Sequence, residues 1–322
     1  MPPDDRWRAA ACFTNLALVV FLGRRLSTTE LGAFALLYGH YLLVAELVRA
    51  ASGGDRRLGR ALCDLGWGAV LGAGLLLLHE LPRSFAEWAI GGLLLGGSLI
   101  AGSCGSRRPS LDGFRPGSGR AEVVARAAVA ASGYGVLLLA GALAGLGAVG
   151  ALWAVRVLFG PVGVVIAAGR SLALAELGRV GPERRARAAA LVSITLALAG
   201  LVAGAGLAAL PSSAGHALLG TTWSAVVPLL GLVAVERVLA GAAVGPSAAL
   251  RAFQDVPGLD ALRVAAAAGA VVVAGAGAAW GGAPGAAAGL AIAAFGYFAA
   301  TSVLLVPRAA EPDPVLDPAP GS

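Results

Sequence analysis

The chain has 322 residues, of which 58% are hydrophobic and only 13% charged, and its formal net charge is +6. Soluble domains carry about 25% charged residues, so composition excludes a soluble core and points to helices surrounded by lipid, in line with a mean hydropathy of +0.81. The positive charge does not mark a nucleic-acid binder, because no basic stripe with interleaved aromatics occurs.

Apolar windows of about 20 residues predict about ten helices. In chain order they run roughly 9–26, 31–49, 61–79, 84–103, 123–146, 150–178, 187–210, 222–248, 260–280 and 284–306. No cleavable signal pattern precedes the first window, so that helix is expected to stay in the mature protein. Ser27 and Glu30 (STTE) have capping-box spacing ahead of the second helix. The longest polar interruption, 107–122 (RRPSLDGFRPGSGRAE), is the candidate cytoplasmic link between an N-terminal lobe, 1–106, and a C-terminal lobe, 123–306. From Pro307 the tail, 307–322, is rich in Pro and Asp without apolar periodicity, and is expected to be disordered and cytoplasmic. Glycine pairs four apart at Gly68/Gly72, Gly92/Gly96, Gly200/Gly204 and Gly285/Gly289 let helix backbones approach closely. The expected fold is an all-α, polytopic transmembrane helix bundle in two lobes, four helices before the link and six after it.

Every one of the 24 basic residues is arginine, a coding bias expected of a GC-rich bacterium. Short loops rich in arginine stay in the cytoplasm. With the N-terminus inside, the cytoplasmic segments hold Arg6 and Arg8, the Arg49–Arg60 group, the Arg107–Arg126 group, the Arg179–Arg187 group, Arg251, Arg263 and Arg308. Arg24, Arg25 and Arg83 alone fall on outer loops. Both termini are therefore expected in the cytoplasm, in a cell inner membrane protein that crosses it many times.

No HExxH, GxSxG, Walker loop or helix-opening GxGxxG is present. Cys12, Cys63 and Cys104 lack metal-ligand spacing, and His40, His79 and His216 are isolated. No enzyme, cofactor or metal is expected. The residues that stand out are charges inside helices, each costing roughly 2.5–3.5 kcal/mol at mid-membrane. Arg156 and Arg170 are fourteen positions apart, which returns them to nearly one face of a helix that Gly160-Pro161 kinks. Arg237 follows Glu236 in the eighth helix, between Pro228 and Pro246. Adjacent positions point about 100° apart, so Glu236 is expected to meet an arginine of a neighbouring helix or to serve as a protonation site. Broken helices that carry charge are a pointer to transport sites, and the competing assignments are snorkelling for Arg156 and Arg170 and a structural ion pair for Glu236.

The segment ALWAVRVLFGPVGVVIAAGRSLALAELGR (151–179) resembles a helix of bacterial oligosaccharide flippases of the multidrug/oligosaccharidyl-lipid/polysaccharide exporter superfamily. RRLSTTELGAFALL (24–37) is similar to the turn between that family's first two helices. LLGTTWSAVVPLL (218–230) and GAPGAAAGLAIA (282–293) look like helices of its C-terminal half. The resemblance extends loosely over residues 9–306. It implies two lobes that rock around a cavity and carry a lipid-linked saccharide or other anionic amphiphile by alternating access, with a first lobe two helices short of the family's six. On that expectation Arg156, Arg170 and Arg237 would bind the substrate's phosphates and Glu236 would couple ions. A second copy in a homo-oligomer would complete the cavity of the shortened lobe, and a glycosyltransferase is the partner expected for the non-transporting alternative below. The alternatives are a non-transporting membrane partner in cell-envelope glycan or secondary-metabolite biosynthesis, and a cation-coupled drug antiporter.

Overall fold

The computed structural model describes residues 13, 16–51, 119–253 and 258–309. The expected helices 61–79 and 84–103, the three cysteines, most of the 107–122 link and the tail beyond 309 lie outside the described residues. Those described are almost wholly helical, with no strand among them. The helices are α1 (16–23), α2 (Thr28–Ala51), α3 (Gly119–Ala144), α4 (Leu146–Leu158), α5 (Gly160–Leu177), α6 (Pro182–Ala208), α7 (Ser212–Leu219), α8 (Trp223–Ala242), α9 (Val244–Ala252) and α10 (Leu259–Ala309).

Local chemistry accounts for the boundaries. The Ser27 amide and hydroxyl both donate to Glu30 Oε2 at 2.8 Å, and the Glu30 amide donates back to Ser27 Oγ at 3.3 Å, which closes a capping box at the start of α2. Proline occupies the first turn of α5 and of α6, where its missing N–H costs nothing. The expected helix 150–178 is instead two helices: the chain leaves helical geometry at Phe159 (φ −82, ψ 3) and restarts at Gly160-Pro161. A milder division at Ala243, which keeps right-handed helical dihedrals (φ −71, ψ −13), separates 222–248 into α8 and α9 three residues ahead of Pro246, while Pro228 stays inside α8. The short helix α7 was not expected, and it opens directly after Pro211. At the far end, α10 runs through Pro307 to Ala309, so the first three residues of the tail expected to be disordered are helical.

Among the described residues four stretches are long and apolar enough to cross a membrane: Gly160–Leu177, Arg184–Ala208, Ser212–Ala252 and Leu259–Val306. About 20 residues suffice for one crossing, so the 48-residue stretch must fold back. It does so at Gly281 and Gly282, where φ reaches +60 and only glycine is unstrained. The limbs 259–280 and 283–309 form an antiparallel hairpin, as the two windows 260–280 and 284–306 anticipate. Outside the core the helices remain apolar. Leu191, Ile194, Leu198 and Leu201 of α6 are each more than half exposed and share one stripe. Against lipid that stripe costs nothing, because acyl chains are as apolar as leucine.

For the same reason, lipid gives apolar side chains little reason to prefer one another, and close backbone approach has to hold the helices together. Glycine seams do so, among them Gly245 of α9, where a Cβ would collide with the Ala189 carbonyl of α6. A Cβ on Gly200 would stand 3.0 Å from the Val238 amide nitrogen, and one on Gly204 2.5 Å from the Ala234 Cβ, so α6 and α8 run antiparallel nearly in backbone contact. Gly32 and Gly150 join α2 to α4 in the same way. Gly277, Gly285 and Gly289 close the α10 hairpin, a Cβ on Gly289 lying 2.5 Å from the Val273 carbonyl oxygen.

The division into lobes of four and six helices is not seen among the described residues. Val19, Leu22, Leu31 and Phe34 of the first half share one continuous core with Trp153, Phe159, Val233 and Ala286 of the second. The physical reason is the α2–α4 seam. Phe34 stacks on Tyr38 at 5.8 Å and meets Trp153 at 5.6 Å, while Gly32 admits the α4 backbone beside them.

Candidate functional site: charges within the helix bundle

Glu236 lies thirteen residues beyond the start of α8, about 20 Å along the axis. Arg251, in the last turn of α9, is about 22 Å further. Were Trp223–Arg251 to cross a hydrocarbon layer of about 30 Å, the carboxylate would stand near the middle of it. It is buried at 8% exposure. From the last turn of α4, Arg156 places Nη2 3.9 Å from Glu236 Oε1. Hydrogen-bonded ion pairs close to about 3 Å, so the attraction here is Coulombic and the pair is loose.

The carboxylate of this pair and the arginine next to it are not fully satisfied. Glu236 Oε2 and Arg237 Nε are buried without a hydrogen-bond partner among the described residues. Arg237 feels both the Glu236 carboxylate and the Arg156 guanidinium. Its Nη1 lies 3.9 Å from where a Cβ would sit on Gly163, so α5 leaves the guanidinium room by presenting a glycine. Two guanidinium groups against one carboxylate leave one positive charge in excess. Such a cluster can accept an anionic oxygen at Arg237 or a proton at Glu236. It is positioned by α4, which the Phe34–Tyr38–Trp153 aromatic cluster fixes to α2 one turn before Arg156.

Arg156, Glu236 and Arg237 are therefore brought together, and Arg170 is not. The break at Phe159 removes the shared helix on which Arg156 and Arg170 would have aligned. Seven residues beyond Gly163, or about 10 Å along α5, Arg170 is exposed and lines a small recess with Leu174, Ser247, Ala248, Arg251, Arg263 and Tyr297. There Asp260 Oδ1 lies 3.4 Å from Arg263 Nη1 and 3.7 Å from Arg251 Nη2. Arg251 and Arg263 had been assigned to cytoplasmic segments with no further role. The Asp260/Arg263 spacing of three, which allows pairing on one helix face, was the available signal.

The same end of the bundle holds Arg185, which donates to the carbonyls of Leu177 (3.0 Å), Val180 (3.2 Å) and Ala252 (3.4 Å) and lies 4.6 Å from the centre of the Phe253 ring. It closes the exposed ends of α5 and α9. At the opposite end Arg24 donates to the Ala217 carbonyl, and Thr28 and Thr222 hydroxyls meet at 3.4 Å. Among the described residues no three His, Cys, Asp or Glu side chains are grouped as metal ligands. No protein-family model, curated protein or solved structure matches this chain.

Proposed function

We propose that this chain is a membrane transporter of the flippase kind, moving an anionic amphiphile such as a lipid-linked saccharide by alternating access between its faces. The observation that carries the reading is the mid-span cluster of Arg156, Glu236 and Arg237, with buried polar atoms unpartnered and one guanidinium in excess. Ionisable groups at that depth are costly, and in membrane proteins they mark substrate and ion pathways. Guanidinium forks suit phosphate oxygens, which fits a diphosphate-linked cargo. Breaks at Phe159 and Gly281 supply the discontinuous helices that such sites use.

The test is flux in proteoliposomes carrying a fluorescent diphosphate-linked saccharide lipid. Wild-type protein should move it, and Arg156→Ala/Arg237→Ala should not, while both insert equally. Undiminished flux in the double variant refutes the assignment of these arginines. No flux with wild type, together with copurification of a glycosyltransferase, would favour the non-transporting partner instead.

A second reading, a cation-coupled antiporter, is favoured by the buried, unpartnered Glu236 Oε2. Here Glu236→Gln should abolish dependence on a proton gradient and leave gradient-free exchange intact. Efflux that keeps its gradient dependence in that variant rejects it.

A further inference from the structure

The α10 hairpin carries one side chain that packing within the fold does not explain. Between Arg263 and Tyr297 the sequence holds only Ala, Gly, Val, Leu, Ile, Pro and Phe, with the single exception of Trp280. Its indole N–H is the one side-chain hydrogen-bond donor in that stretch. The ring is 90% exposed, more than any other large apolar side chain among the described residues. It continues the exposed stripe of Ala265, Ala268, Val272 and Ala276, while Ala267, Ala274 and Ala278 are buried on the opposite face of the limb. A tryptophan here buries nothing that the alanines around it would not.

Its place along the limb supplies the reason. Gly281-Gly282 turns the chain back directly after it, so the ring stands at the hairpin tip. Asp260 lies twenty residues earlier, about 30 Å along a limb with no break in it. Arg251 and Arg263 approach Asp260 Oδ1 at 3.7 and 3.4 Å, so charge marks one end of the limb and the indole the other. That separation equals the hydrocarbon thickness, about 30 Å. A limb that keeps Asp260 and its two arginines at one interface brings Trp280 to the other. An indole suits that level, because its ring lies against acyl chains while its N–H meets glycerol and phosphate oxygens. Any deeper, the N–H would be left unpaired in hydrocarbon.

We propose that Trp280 seats in the lipid head-group layer and binds lipid there, at the face opposite Arg251 and Arg263. This requires only that the chain lie in a bilayer, and it holds whatever the chain transports.

The full-length protein is prepared with 5-fluorotryptophan at its six tryptophan positions and placed in phosphatidylcholine nanodiscs. The Trp280 fluorine signal is the one lost in Trp280→Phe, a change that spares the fold because the ring packs against nothing buried. Lipid with a nitroxide on the head group should broaden this signal several-fold more than lipid with a nitroxide at chain carbon 16. Ala276→Trp/Trp280→Phe moves the ring one turn along the same exposed stripe, about 6 Å deeper, and its signal should shift toward the chain label. Strongest broadening of the Trp280 signal by the chain label would place the ring in the hydrocarbon core. Broadening by a water-soluble gadolinium chelate, with none from either lipid, would place it in water. Protection from all three would mean that another protein surface, such as a second copy, covers it. Each of these results, or the same pattern from positions 276 and 280, would overturn the assignment.

Discussion

Substituting Gly289 tests whether backbone seams, rather than apolar burial, hold this bundle together. A Cβ at that position would lie 2.5 Å from the Val273 carbonyl oxygen and 2.6 Å from the Ala274 Cα, against 3.4 Å for ordinary contact. All of its near neighbours are backbone atoms, so no side chain can swing aside. The limbs of the α10 hairpin must part by about 0.9 Å, and a gap of 0.5–1 Å forfeits a quarter to a half of the dispersion energy of every contact along the seam. Overpacking of this kind costs about 1–3 kcal/mol, and the better helix propensity of alanine returns up to about 1 kcal/mol. Gly289→Ala should therefore be destabilised by about 1–2 kcal/mol in reversible unfolding in mixed micelles. Gly285→Ala should lose more, since its Cβ would come closer still to the Gly277 carbonyl. Gly269→Ala and Gly296→Ala, which meet nothing within 4 Å, should be neutral or slightly stabilised. Equal stabilities across the four variants would refute the seam argument.

Three other expectations follow from particular contacts. Arg185→Ala strips three backbone carbonyls of their donor and should destabilise the protein by about 2 kcal/mol, read by unfolding, and Arg185→Lys should recover little because an ammonium cannot fork to three carbonyls. Phe34→Ala would cost about 3–5 kcal/mol in a soluble core. In lipid the transfer part of that cost vanishes, so a loss of roughly 2 kcal/mol from the cavity alone is expected, visible in unfolding and as changed Trp153 fluorescence. Ser27→Ala breaks the capping box and should cost about 1 kcal/mol, with faster amide exchange confined to the first turn of α2.

Much of the helical framework was legible from apolar length, since a window of about 20 residues reads out the membrane thickness directly. Thus 187–210 and the two limbs of α10 lie close to their expected places. The capping box was legible as well, because its chemistry is local. What escaped was short or depended on tertiary contact. Eight-residue α7 is too brief for any membrane window, and it exists because Gly215 makes room for the Trp223 indole. Gly160-Pro161 signalled a kink, but a helical wheel cannot say that α4 and α5 will diverge and carry Arg156 and Arg170 to different places. That Glu236 needs a cation from another helix follows from its depth; that the cation is Arg156 follows only from how α4 packs. Asp260 and its two arginines were invisible as a group because each reads as an ordinary loop charge.

The seams also constrain how such a molecule can change shape. Helices joined backbone to backbone cannot slide without collisions, so α2 with α4, α6 with α8 and α9, and the two limbs of α10 each behave as a stiff leaf. Any opening has to be taken up where leaves meet through ordinary side chains, as between α8 and α10, and at the swivel supplied by Phe159. Arg156 and Glu236 sit on different leaves. Their loose 3.9 Å pairing is thus the latch that such a movement would have to release.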